Sequence, residues 1–257
     1  MNIALDGLYA VVTGASSGLG YAMAKALLEK GATVALSSRP GKKLDNAVKA
    51  LAQNGLDAYA LPMDVCNEDS VIEAVSWVRG NWKRVDFLVN NAALMMHRIY
   101  PDILTSPKPF YEIHPDVFRK IVDTNLTGYF LVAREFLPLL IEQNGGRIVN
   151  ISTSFSTMNM FAPYGPSRAG SEALSNIMTA ELDKFGIMVN LLLPGGAVDT
   201  GGILNDGNHK PPFKLLSPDI MADPIVFLAS SLADGITGER IIAKEFDDWL
   251  LRKGFTQ

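Results

Sequence analysis

Tyr164 and Arg168 stand four residues apart in a segment whose pattern predicts a helix, which puts a phenol and a guanidinium on one helical face. A free phenol titrates near ~10, so moving a proton near neutrality asks for a shift of about three units, roughly 4 kcal/mol of differential stabilisation. A cation one turn away is the kind of group that supplies it. Far upstream, Thr13-Gly14-Ala15-Ser16-Ser17-Gly18-Leu19-Gly20 separates an apolar run from a helical pattern. Glycines at 14, 18 and 20 let the chain turn tightly, let its amides approach a pyrophosphate, and let the following helix pack close to the preceding strand.

The elements that must hold these groups are written in the apolar pattern. Runs rich in Val, Ile and Leu recur at Tyr9–Val12, Thr33–Leu36, Ala58–Leu61, Phe87–Val89, Arg147–Ile151 and Met188–Leu193. They are continuous rather than alternating, as in a parallel sheet covered on both faces. Helical stripes lie between most of them. Leu19, Met23, Ala26, Leu27 and Lys30 form one, closed by Gly31; Leu44, Val48 and Leu51 form a second, ending at Gly55; Val71, Val75 and Val78 form a third. From Pro115 to Gln143 one long helix is expected, with Val117, Ile121, Asn125, Tyr129, Val132, Phe136 and Leu140 at spacings of three and four and a kink near Pro138. Another is expected from Tyr164 to Phe185, ended by Gly186, and a last edge strand with a short helix over Gly238–Phe246.

The pattern predicts one α/β domain over residues 1–257: a doubly wound (Rossmann) parallel sheet flanked by helices on both faces. Two stretches, 93–114 and 200–217, are too long and polar for plain connections and are expected to shape a substrate site. The second is the better lid candidate, because it follows the C-terminal end of a strand. In such a sheet the end of the second strand meets the adenosine ribose. Here it reads Ser37-Ser38-Arg39, with no acid to bind ribose hydroxyls and a charged fork suited to a 2′-phosphate.

The glycine turn resembles the T-G-x-x-x-G-x-G of the short-chain dehydrogenases/reductases (SDR), and the likeness runs through nearly the whole chain. Asn90-Asn91-Ala92-Ala93 is similar to that family's N-N-A-G, Asn125 falls where the family has a helix asparagine, Tyr164-Gly165-Pro166-Ser167-Arg168 is similar to Y-x-x-x-K, and Pro194-Gly195 opens its P-G segment. The resemblance implies an oxidoreductase interconverting an alcohol and a carbonyl by hydride transfer, with Tyr164 as acid/base. The catalytic set would be Asn125, Thr153, Ser154, Tyr164 and Arg168. Thr153 and Ser154 share the place of the family's serine, and Asn125 would hold a water beside the cation. The cofactor would meet Gly14, Ser16, Ser17, Gly18, Leu19 and Gly20 at its pyrophosphate, Ser38 and Arg39 at the ribose, and Asp64 and Val65 at the adenine. Asn91 and Ala92 would lie at the adenine-side ribose and neighbouring backbone, Pro194, Gly195, Val198 and Thr200 near the carboxamide or phosphates, and Tyr164 and Arg168 at the nicotinamide ribose.

Arg39 favours NADP(H) over NAD(H), while NAD stays open. Arg168 departs from the family's lysine: it keeps the charge, but its high pKa makes it a poor proton relay. A dinucleotide-binding module with weak or no turnover is therefore the alternative. Pocket-wall candidates are Leu94, Met95, Met96, Phe155, Met158, Phe161, Gly196 and the segment Ile203–Phe213. Composition narrows the rest. With 48% hydrophobic and 19% charged residues and a net charge of −4, neither disorder nor a nucleic-acid or membrane partner is expected. The one cysteine, Cys66, and three scattered histidines predict no disulfide and no metal, and the absence of a leader pattern predicts a cytoplasmic protein. By the same resemblance the chain would form a homodimer or homotetramer through the long helices carrying Asn125 and Tyr164.

Overall fold

In the computed structural model, residues 3–103, 106–200 and 214–255 are described. Seven strands form one sheet: β1 (Tyr9–Thr13), β2 (Thr33–Ser38), β3 (Ala58–Pro62), β4 (Phe87–Asn90), β5 (Gly146–Ile151), β6 (Ile187–Leu193) and β7 (Arg240–Ile242). Their order is β3-β2-β1-β4-β5-β6-β7 and every pair is parallel. All six expected strands are present, each within a residue or two of its expected ends, and β7 is the edge strand anticipated near the C-terminus.

The continuous apolar runs have a plain cause in the packing. Ala10 and Val12 of β1, Val34 and Leu36 of β2, and Phe87 and Val89 of β4 face a core shared with α1 (Gly18–Leu28), α2 (Lys42–Ala52), α8 (Ala222–Ala229) and α9 (Phe246–Arg252). The intervening Val11, Ala35 and Leu88 face a second core against α3 (Glu68–Asn81), α5 (Gly128–Glu142) and α7 (Tyr164–Leu182). With both faces dry, both sets of alternate positions are mostly apolar, and buried polar residues such as Asn90 and Asn150 are hydrogen-bonded to each other. The tryptophans belong to this packing: Trp77 and Trp82 meet Tyr59, and Trp249 meets Phe227 and Phe246. Cys66, by contrast, is exposed.

One expectation is corrected. The helix predicted over residues 115–143 is α4 (Pro115–Val122), a five-residue π turn (Asp123–Thr127) and α5, and the chain stays helical through Pro138. The interruption falls at Asn125 rather than at the proline. Between α5 and α7 lie β5 and the single turn α6 (Phe155–Met158). After β3 the chain returns to the other side of β1, so the strand order reverses between β1 and β4. Ligands bind at such a reversal, beyond the carboxyl ends of the strands.

Candidate functional site

At the reversal, the end of β4 is tied to the glycine turn. The Thr13 hydroxyl accepts from the Asn91 and Ala92 amides at 2.9 and 3.0 Å, and the Asn91 side-chain amide donates to the Thr13 carbonyl at 2.8 Å. The glycines follow from these approaches. Gly14 has φ +65°, and a Cβ there would lie 2.8 Å from the Ala92 Cα; a Cβ on Gly20 would run into the Asn91 amide nitrogen. Gly18 opens α1 beside Thr200, which a Cβ would approach to 3.1 Å. Ser17 stands at the N-cap but gives no side-chain hydrogen bond to the first turn of α1, so that turn's amides are left for a ligand. An open cleft of about 450 Å³ beside this turn is lined by Ser16, Ser17, Gly18, Tyr21, Lys43, Asn46 and Ala47. These features fit a dinucleotide: a close backbone cradle, an uncapped helix start, and room beside both.

The remaining cofactor candidates are distributed around this cradle. The Ala15 amide donates to the Ser37 carbonyl at 3.0 Å, joining the turn to the end of β2. There Ser38 is half-buried and Arg39 exposed. Lys43, which the motif reading passed over, enters the cleft from α2; its position one turn past Pro40-Gly41 was the available signal. The Asp64 carboxylate accepts from the Cys66 amide, and Val65 packs on Gly128. Leu19 packs against the first core. Past β6, the Pro194 carbonyl accepts from the Lys244 amide, and the Cα of Gly195 is turned toward Ile242 and Lys244, where a Cβ would not fit. Val198 is buried and pairs with Leu216. Of the expected pocket wall, Ile203–Phe213 lies outside the described residues.

Tyr164 opens α7 with its ring in a small apolar cluster with Met96, Ile103 and Ile121, flanked by Leu94, Met95, Ile99 and Phe161. Leu94 to Ile103, part of the loop expected to shape a substrate site, pack around this tyrosine. Burial of His97 in the same loop pushes its pKa down, and its Nε2 is buried with no hydrogen-bond partner. Arg168 is only 2% exposed. Its Nε donates to the Tyr164 hydroxyl at 3.4 Å, and its Nη1 donates to the Tyr129 hydroxyl at 2.7 Å and the Ile151 carbonyl at 2.8 Å. Burial works against the Arg168 charge, but the phenol oxygens of Tyr129 and Tyr164 outweigh it, and the guanidinium stays protonated. Among the described residues no carboxylate pairs with it. A buried cation without a countercharge is costly, and it is most stable beside a group that can become anionic.

The two hydroxyl candidates at the end of β5 differ. Ser154 caps α6: its Oγ accepts from the Thr157 amide at 3.2 Å and is bonded to the hydroxyls of Ser156 and Thr157. The Thr153 hydroxyl has no such partner among the described residues, while its carbonyl accepts from Arg240 at 2.7 Å. Arg240 also meets Glu172 of α7 at 3.1 Å and lies over the Phe155 ring at 4.0 Å, and Ser152 donates to Glu172. This clamp was missed in the sequence because its members lie 20 to 87 residues apart. The Asn125 side chain is fully engaged: its oxygen accepts from the Leu94 amide at 2.8 Å, and its nitrogen donates to the Leu94 carbonyl and to Ser167. It joins the loop after β4 to α7.

A parallel doubly wound sheet with a glycine cradle at the strand reversal and a tyrosine-led helix beside it defines a nicotinamide-dinucleotide oxidoreductase scaffold. Comparison with known proteins agrees. The short chain dehydrogenase family model matches residues 8–206, and the chain belongs to that family. It is 31% identical to an uncharacterised oxidoreductase of Bacillus subtilis over 91% of this chain and 95% of that protein. It is 29% identical to a 2-dehydro-3-deoxy-D-gluconate 5-dehydrogenase of Formosa agariphila, over 91% of this chain and 90% of the relative. A solved structure from Beutenbergia cavernae, provisionally named an NAD(P)-dependent gluconate 5-dehydrogenase and containing NADP at low occupancy, superposes with a TM-score of 0.80 at 26% identity, covering 95% of this chain and 98% of that one.

Members of the family bind NAD(P) and act on small molecules. No helix among the described residues is long and apolar enough to cross a membrane.

Proposed function

We propose that this chain is an NADP(H)-linked dehydrogenase/reductase that interconverts an alcohol and a carbonyl, with Tyr164 moving the hydroxyl proton. The observation that carries this reading is the buried Arg168 guanidinium, which has no carboxylate partner among the described residues and sets its Nε 3.4 Å from the Tyr164 oxygen. At about 4 Å, and at the effective dielectric of protein sites, opposite unit charges attract by about 4 kcal/mol.

When bound, the nicotinamide dinucleotide supplies or accepts the hydride. The chain's own residues do the rest. The glycine turn from Gly14 to Gly20, with Ser16 and Ser17, holds the diphosphate on backbone amides, and Thr200 stands beside it. Arg39 and Lys43 offer charge to a 2′-phosphate. Thr153 donates to or accepts from the substrate oxygen, while Ser154 holds the turn that follows. Tyr164 passes its proton to a forming alkoxide, or takes one from the alcohol in the reverse direction. Arg168 keeps its own proton throughout and acts as a fixed charge. Residues 93–103 and 106–114 border the substrate pocket, and the exposed Phe130 of α5 and Ile177 of α7 suit pairing of two copies through these helices.

The test is a titration with NADPH and NADP⁺, followed by energy transfer from tryptophan to nicotinamide, and then a screen of alcohols and ketones followed by nicotinamide absorbance. We expect Tyr164→Phe to lower turnover by about 100-fold or more, the usual range for a lost acid/base, while binding stays within a few-fold. Binding with no turnover across the screen would favour the non-catalytic module instead.

A further inference from the structure

Arg168 is gripped on the side away from Tyr164 by groups that proton transfer does not use. Its Nη1 donates to the Tyr129 hydroxyl at 2.7 Å and to the Ile151 carbonyl at 2.8 Å, and the Tyr129 hydroxyl donates to the same carbonyl at 3.2 Å. The three groups close a triangle. The guanidinium carbon lies 5.4 Å from the centroids of both the Tyr129 and Tyr164 rings, so the charge sits between two aromatic faces. Tyr129 is buried on the first turn of α5, and Arg168 is buried on α7. The titratable groups facing the guanidinium are Tyr129 from α5 and Tyr164 from α7, and β5 presents only the Ile151 carbonyl.

A guanidinium is a planar, rigid fork, so holding one arm sets the direction of the other. An ammonium on a flexible stem would need no such anchor. We propose that Tyr129 is a positioning residue whose hydroxyl anchors the Arg168 fork and thereby keeps its Nε aimed at Tyr164. This rests on the reading of Tyr164 as the proton-moving group. Burial pushes the Tyr129 phenol up against the pull of the guanidinium, so it serves as a neutral anchor and not as a second proton carrier. Phenylalanine would fill the same space while leaving Nη1 one acceptor short.

The experiment compares the full chain with its Tyr129→Phe variant by ¹H–¹⁵N spectra of arginine side chains, the Arg168 signals being identified by their loss in Arg168→Lys. An anchored fork gives slowly exchanging Nη1 protons; we expect Tyr129→Phe to speed their exchange at least tenfold and to move a limb of the pH profile of turnover. Fluorotyrosine at position 129 keeps the shape and weakens the oxygen as an acceptor, and it should give a smaller change in the same direction; it also decides the matter if Tyr129→Phe folds poorly. Unchanged protection in both variants overturns the anchor. Faster exchange with an unmoved pH profile overturns its service to the reaction. If the parent chain turns over no alcohol or carbonyl, the catalytic reading fails, and the exchange measurement alone decides whether Tyr129 is the anchor.

Discussion

In the proposed reaction Arg168 is the residue on which the chemistry turns, because its guanidinium is a rigid fork whose proton is not available. Its contribution is electrostatic, and losing a charge worth about 4 kcal/mol corresponds to about a thousandfold in rate. Arg168→Met is therefore expected to lower kcat/KM by about that factor. Arg168→Lys keeps the charge and restores a group that can relay a proton, so its turnover should stay within about tenfold with a shifted pH optimum; an optimum that does not move would remove the idea that arginine limits relay. The pairing of Tyr164 with Arg168 was legible in the sequence because four residues make one helical turn. Tyr129 was not legible as a partner: it occupies a core position of a helical stripe, and the contact that distinguishes it spans 39 residues.

Among the elements, the break at Asp123–Thr127 was written in the sequence and misassigned. Val117, Ile121, Asn125 and Tyr129 follow one another at intervals of four, each exceeding the α period by about 0.4 residue, so three steps accumulate about one extra residue. A π turn absorbs one residue of that kind, and it falls where Asn125 reaches the Leu94 backbone and Ser167. Proline drew the expectation because it is the stronger local breaker. The approach of α6 to α7 had a similar muted signal. The Met158 carbonyl rests directly on Gly165, leaving no room for a Cβ. Gly165→Ala should force the α6 turn away from the start of α7 at a cost of about 2–3 kcal/mol. That corresponds to a fall in melting temperature of about 4–12 °C, and the displaced Tyr164 should lower turnover as well; a variant that melts and turns over like the parent would show that the two elements separate freely.

At the scale of the molecule, the parallel sheet and its strand reversal were the most legible features, since two dry faces leave continuous apolar strands and the glycine turn marks the first strand-to-helix crossing. On the proposed NADP(H) reading, cofactor preference is decided at the rim of that crossing, where single charges act in solvent. The exposed Arg39 and the cleft residue Lys43 flank the same end of the sheet, and no Asp or Glu stands at Ser37-Ser38-Arg39 to bind ribose hydroxyls. A charge-assisted contact to a phosphate contributes about 1.5–3 kcal/mol, less where water screens it. Arg39→Ala and Lys43→Ala are each expected to weaken NADPH about tenfold while changing NADH little, and the NADPH affinity of the parent should fall more steeply with salt than its NADH affinity. Calorimetric titration of both dinucleotides at two ionic strengths checks this; equal losses for NADPH and NADH in both variants would mean that neither side chain meets the 2′-phosphate, and that discrimination lies elsewhere in the cradle.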